Sequence, residues 1–455
     1  MLNQVLGVWS PQALEFPLAF MQKKEEKLMK SRILTLVLSL SIIGGSAVLS
    51  PITAAGAPKV TEIKLALWDE VQKPIIQQSV DKFNQLNRTK IKVTINSTPW
   101  SEFWTKLDAT LPTNQATDVT WMNVNVRKYA EGGVLEPLDK YIAADALKMT
   151  QYVPGRVAAF KVADKQYALP KGMDAVFVAY NKAIFAKYGV PVPQKNWTWN
   201  DMRKTAAALA AAQTAAKKTN EYPLVMELDA QPSWINFLNQ DGAGFLSADK
   251  KTTNLGTPAG IATIQSIRDL MEDKLMAPYN VLSETKGTDI FLAGNAGMVF
   301  IGSWKAAVLE KSTLGVAKNI GLIQMPKRGE NNYSVAGGLG YAIAAKSENK
   351  AAAWTFIKYI TGYQSMANEA RNGIEFPARS DAQRAYATGF QNIDGKVIMA
   401  ASKTAFAYPS NGIPATVQPM IDAIALVLSG KEKAETLKVA AAKSQGLLDA
   451  LNKKG

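Results

Sequence analysis

The chain has 455 residues, 47% of them hydrophobic, which is enough to bury the cores of two or three domains. It contains no Cys and no His, which excludes disulfides, thiolate and imidazole metal sites, thiol nucleophiles and Ser-His-Asp arrangements. Its net charge of +14 comes from Lys residues that are scattered and alternate with acids on apparent helix faces. No basic stripe interleaved with aromatics is present, so solvated surface charge is expected and a nucleic-acid partner is not.

Near the N-terminus, Lys30 and Arg32 precede the apolar run Ile33–Ile43, and small residues follow to Ala57. Basic, apolar, then small is the pattern of a secretory signal peptide, and the run is short for a membrane span. Residues 29–57 are the expected signal, with cleavage after Ala55 preferred because Pro58 would follow a cut at Ala57. Residues 1–28 would place that signal internally, which points to Met29 as the translation start. Lys24-Glu25-Glu26 admits codons that contain a bacterial ribosome-binding sequence just upstream of it. Ile43-Gly44-Gly45-Ser46 has the form of a lipoprotein box with Ser where the lipid-bearing Cys belongs. The expectation is an exported protein with no lipid anchor and no transmembrane helix.

Thr61–Trp68 alternates polar and apolar residues as a strand does; a helical stretch covers about 71–87, and Lys90–Ile95 alternates again. Strand, helix, strand is the unit that builds parallel sheets. Ser101 is a candidate cap for the next helix. Asp118–Met122 reads as a short buried strand, followed by helices near 127–132 and 136–149. Tyr167–Pro170 and Ala175–Tyr180 read as strands around a break punctuated by Pro170 and Gly172. Residues 199–219 are Ala-rich and helical, Met298–Ile301 is a strand ending at Gly302, and Leu339–Ala344 is another. A helical pair covers 348–361 and 364–372, and the last 40 residues are helical. The pattern is that of an α/β protein, whose ligands bind beyond the carboxyl ends of strands.

Ten Trp residues are many for this length, and several stand at strand ends. Sugar rings stack their C–H faces on aromatic planes, while their hydroxyls need carboxylates, amides and Arg. Trp68-Asp69, Trp100, Trp121-Met122-Asn123, Trp234 and Ser303-Trp304 supply that mixture. Any one of these Trp residues can equally be a core anchor; the set together points to a binding cleft. Trp197, Trp199 and Trp354 lie in or beside helical patterns and are read as packing residues.

Four segments in chain order carry a resemblance. They are Asp118–Asn123 with Lys128–Asp139; Tyr167–Asp174 with Tyr180–Phe185 and Trp197–Met202; Ala293–Met298 ending in Gly302-Ser303-Trp304; and Gly337-Gly338 with Tyr341–Ile343 and Ala351–Ile357. Over about residues 60–380 the chain resembles the extracellular solute-binding proteins of bacterial ABC sugar importers, the maltose-binding-protein-like family. The resemblance implies a two-lobed periplasmic-binding-protein fold with a hinge and an interlobe cleft. Lobe one would hold 58–172 and 326–374, and lobe two 173–325 and 375–455. It implies Asp174 at the hinge facing the cleft, with a hinge salt bridge as the alternative. Ser303-Trp304 would be a platform, and Trp121 to Asn123 would open the lobe-one side. Gly337-Gly338 would let backbone amides approach the ligand, or form a plain turn. Glu375 and Arg379 are further candidates.

The implied role is capture of a mono- or oligosaccharide by lobe closure and delivery to permease subunits in the membrane, by a monomer without cofactor, metal or catalytic residue. Two alternatives stand beside it. The same fold could bind a polyamine, a phosphorylated solute or another small solute. A glycoside-processing enzyme would need two carboxylates across the cleft, and Asp69, Asp174 and Glu375 could be cast in those roles.

Overall fold

The computed structural model describes residues 59–453. The expected signal, start and cleavage positions lie outside them. Among the described residues no helix is long and apolar enough to cross a membrane.

The strands, in chain order, are β1 (Thr61–Leu67), β2 (Ile91–Ser97), β3 (Val119–Met122), the hairpin pair β4 (Lys161–Val162) and β5 (Lys165–Gln166), β6 (Ala168–Met173), β7 (Val176–Asn181), β8 (Tyr222–Met226), β9 (Ala296–Gly302), β10 (Ile320–Ile323), β11 (Val335–Ala336), β12 (Leu339–Ile343), β13 (Phe376–Pro377) and β14 (Phe406–Ala407). They form a six-stranded sheet in the order β13-β6-β12-β3-β1-β2 and a four-stranded sheet in the order β10-β7-β9-β8, with β11 paired to β14. Each larger sheet is the centre of its own α/β lobe.

In β1, Ile63, Leu65 and Leu67 are fully buried while Glu62 and Lys64 are exposed, so alternation fixes the face. The helix Lys73–Leu86 returns the chain to β2, which pairs with β1 in parallel register from Thr61↔Ile91 to Leu67↔Ser97. Ile76, Val80 and Phe83 of that helix, with Phe356, Ile357 and Ile360 of the helix Lys350–Ile360, cover one face of the sheet. Phe103 and Leu107 of the helix Trp100–Thr110, with Val126, Tyr129 and Phe160, cover the other.

The second sheet reads differently. All seven residues of β9 are buried between β7 and β8, which is why its sequence is an apolar run without alternation. Around it pack the helices Trp199–Ala215, Pro258–Glu272, Gln418–Leu428 and Leu437–Asn452. The first of these starts in a capping box in which Thr198 and Asp201 satisfy each other's backbone N–H groups.

Two local expectations are corrected. Ser101 is not a cap: Pro99 is extended (ψ 146°), the helix begins at Trp100, and no side-chain cap bond is made. The helix expected over 136–149 is confined to Asp139–Ala144, because Ala146 takes φ 47° and turns the chain.

Three connections join the sheets. Asp174-Ala175 runs from β6 to β7. The return from β10 passes through β11 and Gly337-Gly338 into β12. Beyond β13 the chain leads to the helix Gly395–Thr404, whose Ile398 belongs to the second core.

Candidate functional site

Strand directions gather the site. In the first sheet β1, β2 and β3 are parallel, and β12 is antiparallel to both β3 and β6. The ends of β1, β2, β3 and β6 therefore share one edge with the starts of β12 and β13. That edge carries Trp68, Trp100, Asn123, Asp174, Gly338 and Glu375. In the second sheet β8 and β9 are parallel and β7 is antiparallel to β9, so the ends of β8 and β9 lie beside the start of β7. Since Asp174-Ala175 is the whole link from β6 to β7, the two edges meet at the crossing, and the cleft lies between them.

On the first edge the aromatic residues form a ladder. Trp68 is its centre, with ring centroids 5.0 Å from Trp121, 4.8 Å from Phe103, 5.5 Å from Trp104 and 5.2 Å from Trp100. Exposure rises along it: Trp121 is fully buried, Trp68 is half-buried, and Trp100 is 48% exposed. Trp121 is thus the root of the ladder inside the core. Trp104 was not singled out from sequence, although its i, i+4 spacing from Trp100 puts both on one helix face. Its ring lies 5.6 Å from Trp100 and stacks on Tyr129 at 5.9 Å.

The polar candidates differ in how far their atoms are already engaged. Asp69 Oδ1 accepts from the Val71 and Gln72 amides at 2.8 and 3.2 Å, and Oδ2 accepts from Gln72 Nε2 at 3.1 Å. It organises the entry to the following helix. Asn123 Oδ1 accepts from the Asn125 amide at 3.0 Å, and its Nδ2 makes no hydrogen bond among the described residues. Ser303 is buried and bound to Ala175: its amide donates to the Ala175 carbonyl at 2.9 Å and its Oγ accepts from the Ala175 amide at 3.2 Å. The half-buried Trp304 lays its ring over Gly302, where a Cβ would stand 2.1 Å from the ring, so only glycine fits beneath.

At the crossing, Asp174 Oδ1 accepts from the Gly337 amide at 2.6 Å and from Gln231 Nε2 at 2.7 Å. Oδ2 has no partner among the described residues. Burial pushes the Asp174 carboxyl above the usual range, against the Gly337 amide, the Arg156 charge and Gln231. The Arg156 guanidinium donates to the Gly337 carbonyl. Of the pair Gly337-Gly338, whose backbone amides were expected to approach the ligand, the Gly337 amide is taken by Asp174. A Cβ on Gly337 would lie 2.8 Å from Gln231 Nε2 and 3.0 Å from both Asp174 oxygens. A Cβ on Gly338, at φ +140°, would lie 2.5 Å from the Gly172 carbonyl. These glycines let two crossing segments approach each other. Arg156 and Gln231 were missed from sequence.

Glu375 belongs to a buried polar group beneath this edge. Lys171 donates to Glu369 at 2.8 Å, to Glu375 at 3.1 Å and to Gln72 Oε1 at 2.9 Å, and stands 5.2 Å over the Trp121 ring. Burial alone would lower the Lys171 ammonium; Glu369 and Glu375 outweigh it and hold it above its ordinary range. Burial pushes Glu375 up to about 7, opposed by Lys171 and reinforced by Asp174. The Glu375 side chain lies against Gly172, where a Cβ would be 2.0 Å from its Cγ.

Two candidates fall elsewhere. Trp234 is 2% exposed and packs on Phe245 in the second core. Arg379 makes a two-point pair with Asp381 at 2.8 and 3.1 Å beside Tyr152. Away from the crossings, the segment after β3 meets the loop after β14: the Lys128 amide donates to the Gly412 carbonyl at 3.2 Å and Arg127 to the Asn411 carbonyl at 3.5 Å.

The comparisons with known proteins agree with this architecture. The maltotriose-binding protein of Pyrococcus abyssi is 25% identical over 309 residues, which is 66% of this chain and 62% of that relative's length. The galactooligosaccharide-binding protein of Bacillus subtilis is 23% identical over 323 residues, 69% of this chain and 72% of the relative. An ABC substrate-binding protein of Listeria monocytogenes, solved in complex with cycloalternan, superposes with TM-score 0.77 at 20% identity, covering 87% of this chain and 100% of that one. Residues 68–367 match the profile of the bacterial extracellular solute-binding proteins, and the chain belongs to that family.

Proposed function

We propose that this protein is the extracytoplasmic substrate-binding component of an ABC importer. It captures a mono- or oligosaccharide by lobe closure and delivers it to permease subunits in the cytoplasmic membrane. The observation that carries the reading is the aromatic ladder that emerges from the core at Trp68 and ends in the exposed Trp100. Stacked indoles offer apolar planes to the C–H faces of a sugar. Trp304 adds a second platform from the other lobe, and the unengaged Asn123 Nδ2 and Asp174 Oδ2 supply a donor and an acceptor for hydroxyls. The sugar ligands in the names of relatives and solved neighbours support the same class.

The lobes we propose are 58–172 with 326–374, and 173–325 with 375–455, with two exceptions: residues 376 and 377 pair with β6 of the first sheet, and residues 327–335 pack on the second lobe through Trp197, Trp199, Asp241 and the core around Val335. A ligand that touches both edges favours the closed arrangement by its higher affinity for it. No bond is broken, so no catalytic residue is assigned. The protein acts as a monomer, exported and without a lipid anchor.

A thermal-shift screen against mono-, di- and oligosaccharides, with polyamines and sugar phosphates alongside, tests this. A ligand that binds only the folded state raises the melting temperature with its concentration. A shift with one sugar class is expected. Shifts confined to polyamines or phosphates would overturn the sugar assignment and keep the binding role. Product in the sugar wells would replace binding with glycoside processing.

A further inference from the structure

We propose that Arg156 is a positioning residue of the cleft, which holds the three crossing segments in one arrangement and so sets the mutual placement of the lobes before any ligand arrives. Arg156 lies on the short helix Pro154–Ala159 of the first lobe and is 9% exposed. Its guanidinium donates to the Gly337 carbonyl on the second crossing. The amide of the same Gly337 donates to Asp174 on the first crossing at 2.6 Å. The helix that carries Arg156 is tied to the third: the Val153 amide donates to the Ala378 carbonyl at 2.8 Å, and Tyr152 bridges to Arg379. From the second lobe, Gln231 closes the group on Asp174.

A single residue, Gly337, is thus gripped through both its amide and its carbonyl. The attraction between Arg156 and Asp174 acts across it, in a buried setting where charge-assisted bonds are strong. The bonds are also short of freedom. The Cβ positions at Gly337 and Gly338 are filled by Gln231, Asp174 and the Gly172 carbonyl, so neither segment can slide without losing a partner. A buried carbonyl left without its donor costs free energy, which is the force that keeps the segments together. Arg156 therefore acts through Gly337 and Asp174. Its effect on affinity rests on the sugar-capture reading; its effect on lobe placement does not.

The chain has no Cys, so two can be introduced without interference. Spin labels at Thr105→Cys on the first lobe and Lys403→Cys on the second, both exposed, report the interlobe distance in ligand-free protein. Arg156→Met should shift or broaden that distance distribution while the far-UV circular dichroism is unchanged, and Arg156→Lys, which keeps a donor, should largely restore it. If Arg156→Met does not fold, Gly337→Ala should produce the same shift, because its Cβ would press on Gln231. An unchanged distribution in a folded Arg156→Met or Gly337→Ala protein would overturn the proposal, as would Arg156→Lys behaving like Arg156→Met. In a second arm, maltotriose is the probe, and Arg156→Met should bind it about tenfold more weakly as the competent state is depopulated. A parent protein that ignores every sugar sinks the sugar reading and leaves the ligand-free arm to decide.

Discussion

The aromatic ladder and the crossing share the carboxyl-end edge of the first sheet, but they are built on opposite terms. Trp68, Trp100 and Trp104 touch one another through ring faces and edges, and Trp100 leaves nearly half of its surface open. The crossing spends its polar atoms on itself: Asp174 Oδ1, the Gly337 amide and carbonyl, Gln231 and Arg156 are all engaged within the protein. An aromatic plane satisfies the fold and still has a face to offer, whereas a hydrogen-bonding group used for the hinge is no longer free for a ligand. Substitutions on the ladder's outer rungs should therefore cost affinity, and substitutions at its root or beneath the crossing should cost stability.

The root of the ladder gives the largest expected effect. Trp121→Ala removes a fully buried indole from β3 and should lower stability by about 3–5 kcal/mol, measured by urea unfolding. A loss no greater than that of Trp100→Ala would erase the division between root and rung.

The polar layer under the crossing comes next and is read through pH. Glu375 titrates near 7 in the fold against 4.5 for the free side chain. The native state then holds the proton more tightly, so this group's stabilising contribution is complete below about 4.5 and is lost as pH rises through about 7. Glu375→Gln removes that slope. Its melting temperature relative to the parent should rise between pH 5 and pH 8, by the equivalent of up to about 3 kcal/mol. A difference independent of pH would mean that Lys171 keeps Glu375 ionised throughout.

The outer rung and the platform of the other lobe follow. Trp100→Ala and Trp304→Ala should each weaken sugar binding by about 1 kcal/mol, roughly five- to tenfold in Kd, with little change in unfolding midpoint. A fall in midpoint matching the fall in affinity would make them packing residues.

The division also explains what was legible in sequence. Trp68 and Trp304 stand within two residues of the ends of β1 and β9, and Trp100 three residues beyond β2, so all three are visible from local pattern alone. Trp121 has the same signature, yet lies inside because all four residues of β3 are buried at the centre of the sheet. Asp174 and Gly337-Gly338 were visible as punctuation. Their partners were not: Arg156 meets Gly337 across 181 positions, and Gln231 meets Asp174 across 57. Neither has a spacing to betray it, because the contact is made by the return of the chain between two sheets. The engagement of the Gly337 amide by Asp174 was hidden for the same reason. A glycine pair announces close approach, and only the fold says that what approaches is another segment of the chain.

Arg379 provides the smallest effect and the cleanest control. It was a candidate for the cleft by its place after the helical pair, and its guanidinium is instead held by Asp381, two residues on, with Tyr152 beside it. Its pair partner is exposed, so the bond is screened by solvent and is worth little. Arg379→Ala should change stability by less than about 1 kcal/mol and leave the Kd for the best sugar unchanged by calorimetry. It sits one residue beyond Ala378, whose carbonyl anchors the helix of Arg156. A weakened Kd at unchanged midpoint would therefore extend the positioning network outward from the crossing, and would move the line between ligand-facing and fold-holding residues past β13.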